Sequence, residues 1–367
     1  MMESFSCSSY DRRVGVRCLS VHAGYRCRHR GACCSGVFAI PAEPHVVEIV
    51  SSLDIRPPQA VASLFVRRAD APGTEFIGAR GDGSCVFVET NDGHQCSLHR
   101  RAGANALPSS CRHFPRVFLH DARGMFVSLS HFCPTAASLL LEDGPLGIVY
   151  AESPLVLDGT IEAFDAVGAL PPLLRPGLLM DLEGYDAWER TAVAAFARAD
   201  LTPDEAVALI GSATEALRGW KVGGRPLASR VNESFRDAGG RPSAIDDHGR
   251  DPLRLALLRP SVSANETVWE QLVKPAWEAF DPAVKRYLAA KLYGNRIAYE
   301  ATGLRSIVEW LRMALALLRS EAMRVCEQAG AVLDRQMFIE AVRATDLVLV
   351  HRLDSRGLAR ILEREET

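Results

Sequence analysis

Nine of the ten cysteines lie between Cys7 and Cys133, and eight of the ten histidines precede residue 132. A uniform scatter over 367 residues would not concentrate the two most metal-competent residue types in this way. The feature limits what the first third of the chain can be. A turn-rich segment with so many thiols is held by disulfides or by a metal, and the choice depends on redox compartment. The N-terminus, Met-Met-Glu-Ser-Phe-Ser-Cys, has no apolar core before Asp11-Arg12-Arg13, so a secretory leader is not expected. No stretch approaches the roughly 18 apolar residues of a membrane span. A cytoplasmic protein with reduced thiols is expected, and these cysteines then ask for a metal.

Four elements carry the candidate ligands. They are Cys27-Arg28-His29-Arg30-Gly31-Ala32-Cys33-Cys34, Cys85 with Cys96, Cys111-Arg112-His113-Phe114-Pro115-Arg116, and His131-Phe132-Cys133-Pro134. The candidate metal residues are therefore Cys27, Cys33, Cys34, Cys85, Cys96, Cys111 and Cys133. Zinc takes about four thiolate or imidazole ligands in a tetrahedron. A [4Fe–4S] cluster takes four thiolates, or three with one iron left open. Seven cysteines suffice for one site with spares, or for two if His29, His99, His113 or His131 contributes. No pair of Cys-x2-Cys knuckles is present, which argues against a regular zinc finger. Cys33 and Cys34 would point to opposite faces of an extended chain. They share one ion only if the backbone turns sharply beside Gly31 and Gly36; otherwise each serves a separate centre. Cys326, on an apolar helical stretch, reads as core, and Cys7 and Cys18 are not expected to be ligands.

The expected fold is α+β: a small irregular cysteine-rich domain with β-hairpins over residues 1–145, then a mostly helical domain over 146–367. In the first part, Cys85–Val88 and Gln95–Leu98 flank an Asn91-Asp92-Gly93 turn. Val117–Leu119 and Met125–Leu129 form a second candidate hairpin that delivers Cys133. Thr135–Leu141 reads as a short closing helix. Beyond it, Thr202-Pro203-Asp204-Glu205 is a helix start with a capping Thr, Pro at the first position and Glu at the third. Asp281-Pro282 opens another helix. Leu304, Ile307, Val308, Leu311, Leu315 and Leu318 recur at helical spacing in a helix running to Gln328. Met337–His351 is a further helix. The Gly-, Arg- and Pro-rich residues 222–252 read as a loop or linker. A formal net charge of −3 points to neither nucleic acid nor an anionic membrane as partner.

The run from Cys27 to Cys34, Cys85, Cys96 and Cys111-Arg112-His113-Phe114-Pro115-Arg116 resembles the YkgJ-type zinc- or iron-chelating domain. The chain carries Cys-x5-Cys-Cys where that family commonly has Cys-x2-Cys-x2-Cys-Cys. Leu107–Arg116 together with Ser128–Ala136 is similar to flagellin lysine N-methylase, as is Tyr287–Asn295 in the helical part. The resemblance covers about residues 20–142. It implies an iron–sulfur or zinc site and a protein-lysine methylase with S-adenosylmethionine as methyl source and a flagellin-like protein as substrate. From the residues alone, no glycine-rich methyltransferase loop follows a clear strand, and no Cys-x3-Cys-x2-Cys run is present. Glu89, Asp92 and His131 are candidates for proton work, with turn-forming and hydrogen-bonding roles as the plainer reading. Arg112 and Arg116 would orient cluster ligands, grip an anionic cofactor, or simply form surface ion pairs. The alternative function is a non-catalytic metalloprotein in which the metal ties down loops and the helical domain binds a partner.

Overall fold

Short capping signals set the helix starts. In the computed structural model, which describes residues 15–28, 31–36, 38–53, 55, 63–89, 95–151, 163–239, 266–300 and 303–352, Thr202 and Glu205 form a reciprocal capping box at the start of the Pro203–Leu217 helix. The Glu205 N–H donates to Thr202 Oγ1 at 3.3 Å, and the Thr202 N–H donates to Glu205 Oε2 at 2.8 Å. Asp181 and Asp334 cap the Leu182–Ala197 and Arg335–Asp346 helices in the simpler way. The Leu304–Ala329 helix buries Leu304, Ile307, Val308, Leu311, Leu315 and Leu318. It ends at Gly330 in the left-handed conformation, φ 61°, where a side chain would be strained.

The secondary structure is mixed α+β, and the chain divides into two compact units. The first comprises residues 1–25, 116–132 and 136–367. Its five-stranded sheet runs in the order Ala163–Asp165, Arg116–Asp121, Gly124–Leu129, Arg17–Leu19, Ile148–Tyr150. The two central strands are the expected second hairpin, paired from Arg116↔Leu129 to Asp121↔Gly124. Its core joins sheet residues such as Leu19, Leu119 and Phe126 to the helices through Trp188, Ile210, Tyr287, Leu311 and Phe338. Cys326 lies in this core, fully buried. Cys18 is buried in the sheet, and burial raises its thiol pKa to about 12.

The second unit comprises residues 26–115 and 133–135. It holds a three-stranded sheet in the order Pro41–Ala42, Ala71–Ile77, Phe65–Arg68 and the small Val88–Glu89/Gln95–Cys96 hairpin. Short helices span Pro44–Ser52, Ser97–Ala102 and Ser109–His113. Its apolar core is small, built around Val46, Val50, Ile77, Val86, Phe87 and Leu98. Burial at about 25 cal/mol per Å² yields little from so few side chains.

Three expectations change. Residues 222–252 are not all loop: Leu227–Ala238 is a helix, because Leu227, Val231 and Phe235 recur every fourth residue and pack into the core. Residues 240–252 of that stretch lie outside the described residues. The Gln95–Leu98 strand is only Gln95–Cys96, since Ser97 begins a helix, and its partner is Val88–Glu89 rather than Cys85–Val88. The Asn91-Asp92-Gly93 turn lies outside the described residues. The last helix is α-helical to Asp346 and then widens to a π-helix over Leu347–Arg352. Among the described residues, no helix is long and apolar enough to cross a membrane.

Candidate metal centre

Gly31 decides where Cys33 and Cys34 point. It adopts a left-handed conformation, φ 60°, and starts a 3-10 turn over Ala32–Ser35. The Cys34 N–H closes the turn on the Gly31 carbonyl at 2.8 Å. In such a turn successive side chains are about 120° apart, against about 180° in a strand. Both thiols therefore face one region. The next ligand arrives through the backbone: the Cys85 N–H donates to the Cys34 carbonyl at 2.9 Å. The hairpin pairing of Val88 with Cys96 then sets Cys96 close to Cys85.

The outcome is a thiol cluster centred on Cys34, which is hydrogen-bonded to the thiols of Cys33, Cys85 and Cys96. Those contacts raise the Cys34 pKa, so it keeps its proton. They lower the other three: Cys33 and Cys85 fall through their hydrogen bonds to Cys34, and Cys96 falls for the same reason to about 7. Cys111, on the Ser109–His113 helix, is pushed up first by burial and then by the charges of Cys85, Cys96 and Cys33, so it lies within electrostatic reach of the group. The helix is anchored by the Ser109 N–H donating to Glu43 Oε1 at 2.9 Å.

Five of the seven expected cysteines are thus drawn together from four chain segments. Cys27, which is exposed, and Cys133, which is buried, belong to the same compact unit. All nine described cysteines are free thiols. Among the described residues, no three His, Cys, Asp or Glu side chains are disposed so as to hold an ion directly; the thiols are hydrogen-bonded to one another instead. The donor set is nonetheless soft sulfur throughout, the chemistry that suits zinc or an iron–sulfur cluster. Glu89 pairs with Arg100 at 2.6 Å, which accounts for it structurally. Arg116 lies over the Tyr25 ring, 5.3 Å from its centroid, and Arg112 is exposed. Asp92 and His29 lie outside the described residues.

A second polar constellation, in the first unit, was only partly visible in the sequence. His22 Nε2 and His131 Nε2 stand 3.2 Å apart. Asp346 accepts from the His131 N–H at 2.5 Å, Lys291 Nζ at 2.6 Å and Tyr287 Oη at 2.8 Å. His351 Nε2 meets Ser130 Oγ at 2.7 Å. His22, His131, Tyr287 and Asp346 are all fully buried. Burial alone would raise the Asp346 pKa, but Lys291 and His131 hold it well below the usual carboxylate range. Burial lowers both histidines, and each also feels Lys291. Asp346 is a lone Asp in a helical stretch and carries no motif. Its signal was position, since it follows Phe338 and Val342 at four-residue spacing on the face that packs inward.

No family model, no curated protein and no solved structure matches the chain.

Proposed function

We propose that the protein binds a metal through the cysteine cluster, as zinc or as an iron–sulfur centre held by Cys33, Cys34, Cys85, Cys96 and Cys111. The observation that carries this reading is the convergence of four thiols on one another around Cys34. Packing thiols of lowered pKa together is costly unless something shares their charge, and a metal does so while adding folding energy to a unit with a small core. The resemblance of these motifs to the YkgJ-type chelating domain supports the same reading. Protein purified without oxygen should carry either iron and sulfide with a broad brown absorption or about one zinc per chain. Colourless, metal-free protein that takes up neither would end the proposal.

A second reading, a methylase-like enzyme acting on a protein lysine, rests on the similarity of Leu107–Arg116, Ser128–Ala136 and Tyr287–Asn295 to flagellin lysine N-methylase. A lysine ammonium must lose its proton before it can accept a methyl group. S-adenosylmethionine would supply the methyl group. Binding of S-adenosylmethionine in calorimetry, together with methyl transfer to a flagellin-like protein, tests it. Absence of both leaves the non-catalytic metalloprotein, with the helical part as a partner-binding domain.

A further inference from the structure

Two of the clustered cysteines stand in a relationship that the others lack. Cys34 and Cys85 are joined by a backbone hydrogen bond of 2.9 Å, and hydrogen bonding between their thiols is among the causes that raise the Cys34 pKa. One N–H···O=C bond between two residues keeps their α-carbons within about 6 Å by bond lengths alone, inside the range of about 4.4–6.8 Å that a disulfide spans. Cys33 touches Cys34 as well, but bonding adjacent residues would close an eight-membered ring around their peptide. That ring would strain the planar trans peptide whose Cys34 N–H closes the 3-10 turn on Gly31. Cys96 is held to the other strand of its hairpin by the pairing with Val88. Cys34 and Cys85 are both partly exposed, so a small oxidant can reach them.

We propose that Cys34 and Cys85 form a peroxide-driven disulfide that closes the cluster to metal. The pairing stands on geometry alone, and its consequence for metal rests on the metal-binding reading given above. In the first step one cysteine, as thiolate, attacks a peroxide oxygen. The O–O bond breaks, a sulfenic acid forms, and the departing hydroxide takes up the proton that the thiol gave up, leaving as one water. In the second step the other thiol attacks the sulfenic sulfur, the S–S bond forms, and the hydroxyl leaves with the thiol proton as a second water. Two thiols and one hydrogen peroxide give one disulfide and two waters, with two electrons passing from sulfur to peroxide. Cys33, Cys96 and Cys111 then remain, fewer than the four thiolates of a closed structural site. Oxidation therefore releases zinc from a closed four-thiolate site, and bound zinc shields the pair.

The test uses the full chain, stripped of metal by a chelator under reducing conditions. It is exposed to stoichiometric hydrogen peroxide, the remaining thiols are alkylated, and peptides are mapped by mass spectrometry. The expected product is one disulfide linking Cys34 to Cys85, formed several-fold more slowly in zinc-loaded protein, with zinc released as the bond forms. Cys85→Ser should leave Cys34 alkylatable. Cys34 remaining alkylatable in wild-type protein, or linked to Cys33 or Cys96, would overturn the pairing. Should the disulfide form in a chain that never takes up zinc or iron, the pairing stands and the metal reading falls. Should zinc bind and no Cys34–Cys85 bond appear, the reverse holds.

Discussion

His22 and His131 face each other through Nε2 at 3.2 Å, with both rings fully excluded from solvent. His131 Nδ1 lies 3.6 Å from Asp346 Oδ2. That neighbour favours the proton on Nδ1 of His131 and leaves its Nε2 lone pair to accept from His22. The pair then consists of two neutral rings with one shared hydrogen bond.

This assignment has a pH consequence. Burial lowers both imidazole pKa values in the folded state, while in the unfolded chain they stay near 6.5. Above that value neither state is protonated, and the pair adds no pH dependence. Below it the unfolded state takes up protons that the folded state refuses, so stability falls as pH falls, by up to about 1.4 kcal/mol per pH unit for each ring. Urea midpoints measured from pH 7.5 to 5.5 should decline, and His22→Gln should flatten the decline. Nitrogen chemical shifts of the two rings at pH 6 should be those of neutral imidazole; imidazolium shifts there would refute the assignment.

The Lys291–Asp346 pair is wholly interior, with side chains 5% and 0% exposed. Asp346→Asn would leave an ammonium buried without its counter-charge, at a cost of about 3–5 kcal/mol. Lys291→Met should cost a similar amount by stranding the carboxylate. The double variant should recover much of the loss, because no buried charge remains unpaired. A double-mutant cycle from denaturant unfolding measures this coupling, and strict additivity would show that the pair does not act as a unit.

Much of the fold was legible because local rules governed it. The Thr202 capping box, the Arg116–Leu129 hairpin around its Asp121–Gly124 turn and the apolar face of Leu304–Ala329 all follow from residues a few positions apart. The Leu227–Ala238 helix was hidden because the glycines and prolines beside it dominate the local signal, while its burial depends on distant partners. The thiol cluster was legible as a set of residues. The common facing of Cys33 and Cys34 was not, since it depends on Gly31 adopting a positive φ. The group around Asp346 required tertiary structure, because its members lie up to 329 residues apart, from His22 to His351.

Cys34 and Cys326 offer a contrast between a proposed ligand and a core thiol. Cys34→Ala removes the hub to which Cys33, Cys85 and Cys96 are bonded and should abolish most metal uptake. Cys111→Ala should also cost metal, along with much of the stability of the second unit. Cys326→Ala empties a little volume in the apolar core, should cost about 1 kcal/mol, and should leave metal content unchanged. Elemental analysis of the three purified variants separates these outcomes, and equal metal content in all three would remove Cys34 and Cys111 from the ligand set.

Arg123 tests whether charge or packing holds the hairpin turn. Its guanidinium pairs with Asp121 at 2.8 Å and Glu189 at 2.9 Å, and all three side chains are nearly inaccessible to solvent. It also lies over the rings of Phe126 and Tyr185, 4.5 Å from each centroid. Arg123→Met keeps most of the packing and strands two carboxylates, so a loss of about 3–5 kcal/mol is expected at pH 8. A buried carboxylate without its cation binds a proton more readily than one in the unfolded chain. In the variant the folded state therefore gains protons first as pH falls, and the deficit relative to wild type should shrink between pH 8 and pH 5. Urea unfolding at both pH values reads this directly. A deficit of the same size at each would assign the loss to the missing ring contacts and acquit the charges.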